Sequence, residues 1–163
     1  MRKIPLLILL SLACAAAQAS TLTGKVVRVA DGDTITILDS RNEQHRIRFL
    51  GIDAPERGQA YGNYCRKNLA NKIAGEFVDV EYQKRDRYGR ITGTVYFDGR
   101  DINLEQIQDG CAWFYRYYAR ELNRAMRKAY DEAEAQAQDA RIGLWQDPHP
   151  INPYDYRRSK RNR

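Results

Sequence analysis

Three charged blocks, each following a short apolar run, constrain this chain most. They are Asp31-Gly32-Asp33-Thr34, Arg48-Phe49-Leu50-Gly51-Ile52-Asp53-Ala54-Pro55-Glu56 and Asp86-Arg87-Tyr88-Gly89-Arg90. The residues around them are rich in β-branched side chains, with Val26, Val27, Ile35 and Ile37 about the first block, a composition that suits strands. Strand ends can gather charges on one rim while the apolar residues between them build a core. A chain patterned this way is expected to form a small, mainly β domain with its chemistry at one edge.

The element reading follows from period and turn chemistry. Residues 21–30 and 34–39 read as strands joined by the tight turn Asp31-Gly32. Residues 45–52 form a third strand, with a break in alternation before Leu50, and Pro55 keeps Ala54 extended. Residues 58–62 read as a mobile loop. A helix over 64–74 is closed by Gly75. Phe77, Val78, Val80 and Tyr82 mark a fourth strand, and 91–97 a fifth that ends at Asp98-Gly99. Asp101 or Asn103 caps a short helix through Gln108. The longest helix is expected over 119–142, with an inward stripe from Leu122 through Met126, Ala129, Ala133, Ala137 and Ala140. The reading is α+β, mainly β. A closed OB-like barrel with attached helices and an open sheet both fit.

Residues 1–19 have the form of an export leader, with Arg2 and Lys3, an apolar run from Ile4 and Ala17-Gln18-Ala19 before the expected cut. A secreted or periplasmic protein without stable membrane association is therefore expected. Cys14 lies in this leader, and Ser11 stands where a lipidation signal usually carries Leu. Residues 20–147 make up the folded domain. Residues 148–163 are read as a proline-containing basic tail, extended and poorly ordered.

In an oxidising compartment, Cys65 and Cys111 are an even pair and are expected to bridge. The alternative is two small buried hydrophobes. The formal net charge of +6 overstates the basicity of the domain. Of the 27 basic residues, two belong to the leader and five to the segment from Arg157 to Arg163; against 21 acidic residues, the body is net −1. Any attraction to nucleic acid must come from local arginines, with the tail as a separate electrostatic device.

Asp33 and Asp53 are the candidate ligands of a hard cation, since oxygen-only ligation selects Ca²⁺ or Mg²⁺. Neither His45 nor His149 has a partner at metal-binding spacing. Glu56, held by the stiff Pro55, could take a proton from water. Arg48, within an apolar strand, needs an anion: a carboxylate or a phosphate. Arg90 follows the Tyr88-Gly89 turn. Singly, the aspartates could be turn formers and Glu56 a surface residue. Together they are what phosphodiester hydrolysis needs.

The three blocks at this spacing, with Gly143-Leu144-Trp145 beyond them, resemble the staphylococcal nuclease family from about Lys25 to Trp145. The resemblance implies an OB-fold five-stranded barrel with three helices. It implies a Ca²⁺-dependent endonuclease on DNA and RNA that leaves 3′-phosphates; a monomer that prefers single strands is expected. It places the catalytic set on Arg48, Glu56 and Arg90, and calcium on Asp33, Asp53 and the carbonyl of Ala54. Tyr88 falls where an aromatic binds the nucleotide. Tyr118 best matches a base-contacting tyrosine, although Trp113 and Tyr115 could instead alternate into the core. Trp145 reads as a packing anchor. The loop after Glu56 is shorter and poorer in lysine than in the founding nuclease. A catalytically silent nucleic-acid-binding module of the same fold is the alternative reading.

Overall fold

A computed structural model describes residues 20–162. The expected leader, with Cys14, lies outside the described residues. β1 (Ser20–Val29) pairs antiparallel with β2 (Thr34–Leu38), which pairs with β3 (Gln44–Phe49). β5 (Phe77–Arg85) pairs with β1 and with β6 (Ile91–Phe97). A parallel pairing of β3 with β6, Ile47 opposite Ile91 and Arg48 opposite Thr92, closes five strands into a barrel. This is the OB-type barrel, and the mainly β, α+β class holds.

The inward positions are Val26, Ile35, Ile37, Ile47, Phe49, Val78, Val80, Ile91 and Val95, all buried. Burying each such side chain contributes about 1.5–3 kcal/mol. β7 (Arg100–Asp101) extends β6 beyond a turn in which Asp98 and Gly99 both have positive φ, 49° and 74°, the backbone a two-residue hairpin favours.

The third strand ends earlier than its apolar run suggests. Gly51 has φ 76° and turns the chain, so Ile52–Asp53 becomes a separate strand, β4, paired with β8 (Trp113–Phe114). This pairing decides the aromatic run. Phe114 is buried opposite Ile52, whereas Trp113 and Tyr115 are only half-buried. The alternative in which Trp113 and Tyr115 alternate into the core is thus not the one adopted; the inward residue is Phe114.

Three helices cover the barrel. α1 (Gly62–Ile73) buries Cys65, Leu69 and Ile73, as its spacing requires. α2 (Ile102–Gln108) is capped by the Asp101 side chain, which accepts from the Leu104 N–H at 2.9 Å. α3 (Arg124–Asp139) starts later than residue 119, because the Asn123 side chain caps it through the Met126 N–H and Leu122 is extended. A 3₁₀ segment, Arg116–Glu121, precedes it. The inward face is set by Tyr130, fully buried with its hydroxyl donating to Asp101 Oδ2 at 2.9 Å, while Ala140 is exposed. Trp145 meets Trp113 edge-on at 5.3 Å between ring centres, a packing role.

The tail corrects the expectation of disorder. α4 (Pro153–Arg161) is a helix with Asn152 capping the Asp155 N–H at 2.9 Å and proline in its first turn, both favourable helix-start features. It docks on the loop after Glu56. The Tyr156 hydroxyl donates to the Gly58 carbonyl at 2.7 Å, and the Gln59 side chain reaches the Ile151 carbonyl. No described helix is long and apolar enough to cross a membrane.

Candidate active site

The barrel rim where β2, β3 and β6 meet gathers the charges. Thr34 lies opposite Arg48 in the β2–β3 ladder, and the Phe49 N–H donates to the Asp33 carbonyl at 2.9 Å. Asp33 and Arg48 are therefore neighbours by register. The Gly51 turn then brings Asp53 back to the same guanidinium. Arg48 Nη1 stands 2.6 Å from Asp33 Oδ2, and Nη2 donates to Asp53 Oδ1 at 2.8 Å. Nη1 is buried, and its contact with Asp33 Oδ2 is an ion pair without an aligned hydrogen bond.

Both aspartates are buried, and the Ala54 N–H donates to Asp33 Oδ2 at 2.6 Å. Burial pushes the Asp33 carboxyl well above the usual range, against the pull of Arg48. Burial raises the Asp53 carboxyl as well, against Arg157 and Arg48. In both, burial disfavours the charged form more than the neighbouring guanidiniums favour it, so added positive charge would stabilise the carboxylates. An oxygen-only donor set of this kind fits a hard cation such as Ca²⁺.

Glu56 stands at the start of the following loop. α1 begins tightly behind it: a Cβ on Gly62 would come 1.9 Å from the Glu56 carbonyl oxygen, so only glycine fits there. The Glu56 side chain meets Arg157 of α4, whose Nη1 donates to Oε1 at 2.8 Å. Arg157 also donates to Asp53, Nη2 to Oδ2 at 3.0 Å and Nη1 to Oδ1 at 3.2 Å. Burial lowers the Arg157 pKa, but these bonds outweigh it and fix the charge. Sequence reading placed Arg157 in a free tail. A basic residue about 100 positions from its partners carries no local signal of such a contact.

Arg90 enters β6 from the Asp86–Gly89 turn. Its Nε donates to Asp86 Oδ2 at 2.7 Å. Asp86 Oδ1 accepts the N–H groups of Tyr88 and Arg90 at 2.9 and 3.0 Å, so Asp86 shapes the turn and aims the guanidinium. The Arg90 guanidinium lies 5.4 Å from the Tyr88 ring centre.

A cleft of about 1070 Å³ opens on this rim, lined among others by Arg48, Asp53, Tyr88, Arg90, Tyr118 and Tyr154. Asp33, Ala54 and Glu56 are not on its wall. The 3₁₀ segment presents Tyr117, 76% exposed, and Tyr118, 37% exposed, with ring centres 5.0 Å apart. Tyr117 is the more available ring and was not singled out from sequence; its exposure follows from the 3₁₀ turn.

Cys65 and Cys111 are free, buried thiols, and the neighbouring Cys111 thiol, with burial, pushes the Cys65 thiol up. One expectation is corrected. His45 does have acidic neighbours. With Asp39 and Glu43 it forms an acidic cluster that could hold a metal ion, because the β2–β3 turn folds them together. That cluster is bonded within itself: Asp39 Oδ1 accepts the Arg41 and Glu43 N–H groups, and Oδ2 meets His45 Nε2, each at 2.9 Å.

A closed five-stranded barrel with carboxylates and arginines converging on one cleft defines an OB-fold protein built for anionic substrates. Residues 46–147 match the family model described as "Staphylococcal nuclease homologue", and the chain belongs to that family. It is 40% identical over 148 residues to a micrococcal nuclease of Shigella flexneri, covering 85% of this chain and 82% of that one. It is 38% identical over 151 residues to Protein ParB of Escherichia coli, covering 87% and 82%. An uncharacterized endonuclease of Escherichia coli is 41% identical over 138 residues, covering 84% and 86%.

Proposed function

We propose that the chain is a calcium-dependent endonuclease that hydrolyses DNA and RNA and leaves 3′-phosphate ends. The carrying observation is Arg48: a guanidinium held between the buried Asp33 and Asp53, lining the same cleft as Arg90. The nuclease names of the relatives support the same reaction class.

In this reading the non-bridging oxygens of a phosphodiester gain negative charge as water attacks phosphorus. Arg48 and Arg90 donate to those oxygens, and their planar forks hold them bidentately. Glu56 takes the proton of the attacking water. The new P–O bond forms as the P–O5′ bond breaks. The phosphate stays on the 3′ oxygen, and the 5′ oxygen leaves as a hydroxyl after gaining a proton. Calcium bound by Asp33, Asp53 and the Ala54 carbonyl would neutralise charge and orient the phosphate. Tyr88, Tyr117 and Tyr118 offer ring faces to unpaired bases, which favours single strands. The protein would act as a monomer, exported by residues 1–19.

The test is release of acid-soluble nucleotides from single-stranded DNA and from RNA by protein beginning at residue 20. Release with Ca²⁺, its loss in chelator and phosphatase-sensitive 3′ ends are expected. Full cleavage in excess chelator would remove the metal role. Tight binding without cleavage would favour a silent binding module.

A further inference from the structure

We propose that α4 is a cation-displaced plug: the Arg157 guanidinium, seated on Asp53 and Glu56, holds the metal-free protein inactive until a divalent cation ejects it. This rests on the roles proposed above for Asp53 and Glu56.

The contact occupies the groups those roles require. With Arg48 on Oδ1 and Arg157 on both oxygens, the Asp53 carboxylate is fully engaged. Glu56 gives Oε1 to the same guanidinium. While Oε1 holds the guanidinium, it is not free to meet an attacking water. Arg157 is in effect an internal monovalent cation placed beside a ligand of the proposed divalent site. A divalent ion on Asp53 and a guanidinium against the same carboxylate repel, so the two compete. Competition is reciprocal: whatever Arg157 contributes to holding α4 down is subtracted from cation affinity.

The plug is built to come away. The Arg157 side chain is 39% exposed, whereas that of Asp53 is 3% exposed, so the guanidinium covers the carboxylate from the solvent side. α4 has nine residues and buries only Pro153. A helix this short is not stable alone, and its docking depends on the Arg157 pairs and the Tyr156–Gly58 and Gln59–Ile151 hydrogen bonds. Few apolar contacts and exposed hydrogen bonds are the marks of a segment that opens locally.

The test combines Ca²⁺ titration calorimetry with hydrogen exchange at residues 153–161. Three proteins are compared: wild type, Arg157→Gln and Tyr156→Phe. Arg157→Gln should bind Ca²⁺ roughly 5- to 100-fold more tightly than wild type. Tyr156→Phe, which loosens α4 without touching the carboxylates, should shift affinity the same way by a smaller factor. It decides the matter if Arg157→Gln does not fold. In wild type, saturating Ca²⁺ should speed exchange throughout α4.

Equal or weaker Ca²⁺ binding by the folded variants, or α4 protection unchanged at saturation, would overturn the plug. If hydrolysis still required Ca²⁺ in that case, the nuclease reading would stand without it. Release of α4 by Ca²⁺ with no cleavage by any of the three proteins would support the plug and sink the nuclease reading.

Discussion

The Asp86 carboxylate holds Arg90 at two points: Arg90 Nε donates to Asp86 Oδ2 at 2.7 Å, and the Arg90 N–H donates to Oδ1 at 3.0 Å. One carboxylate thus fixes both the turn and the direction of a guanidinium that lines the cleft. Asp86→Asn keeps the shape but gives up the charge-assisted bond. It should lower kcat by about 10-fold, with a smaller change in KM, because a loosened guanidinium loses transition-state contact first. Steady-state kinetics check this, and an unchanged kcat would leave Asp86 a turn former only.

Arg48→Lys and Arg90→Lys should each reduce kcat by at least about 10²-fold, since an ammonium cannot replace a bidentate fork. Arg48→Lys should also cost stability, because Arg48 spans two buried carboxylates, and leaving one buried charge unpaired is costly. Urea midpoints should therefore fall for Arg48→Lys and hold for Arg90→Lys. Near-full activity in either folded variant would make that arginine structural.

Cys65 and Cys111 are free, buried thiols near enough for one to shift the other, so the pair is placed to be bridged when an oxidant is present. In protein recovered from an oxidising compartment, the pair should be bridged. The bond would stabilise the fold by roughly 2–4 kcal/mol relative to the reduced form. Thiol titration under denaturing, non-reducing conditions gives the answer, and two titratable thiols would refute the bridge.

Asp39 supplies a pH signature away from the cleft. Its hydrogen bond with His45, then its backbone donors, hold its carboxyl down at about 2. A carboxyl depressed on folding stabilises the protein above its unfolded pKa, near 3.8, and that contribution disappears as pH falls through about 2. Asp39→Asn lacks the charge. The gap in urea midpoint between wild type and Asp39→Asn should be constant above about pH 5 and close toward pH 2. A gap that persists at pH 2 would show that the carboxylate charge is not the stabilising element.

The sequence by itself determined the barrel strands and most of the rim. Period-2 alternation placed Ile35, Ile37, Ile47 and Phe49 inward, and turn residues placed Asp33 and Arg90 at strand ends. Those signals are local, because alternation and turn geometry act over a few residues. Tertiary structure decided what depends on partners far along the chain. Asp53 joins Arg48 because Gly51 turns β4 away to pair with β8. Phe114, not Trp113, enters the core because of that same pairing. The basic tail is a docked helix because Arg157 finds Asp53 and Glu56 more than 100 residues earlier. A run of arginines and lysines has the same local pattern whether it is solvated or paired. Only the position of the Asp53 and Glu56 carboxylates selects between the two, and that position exists only once the barrel has closed.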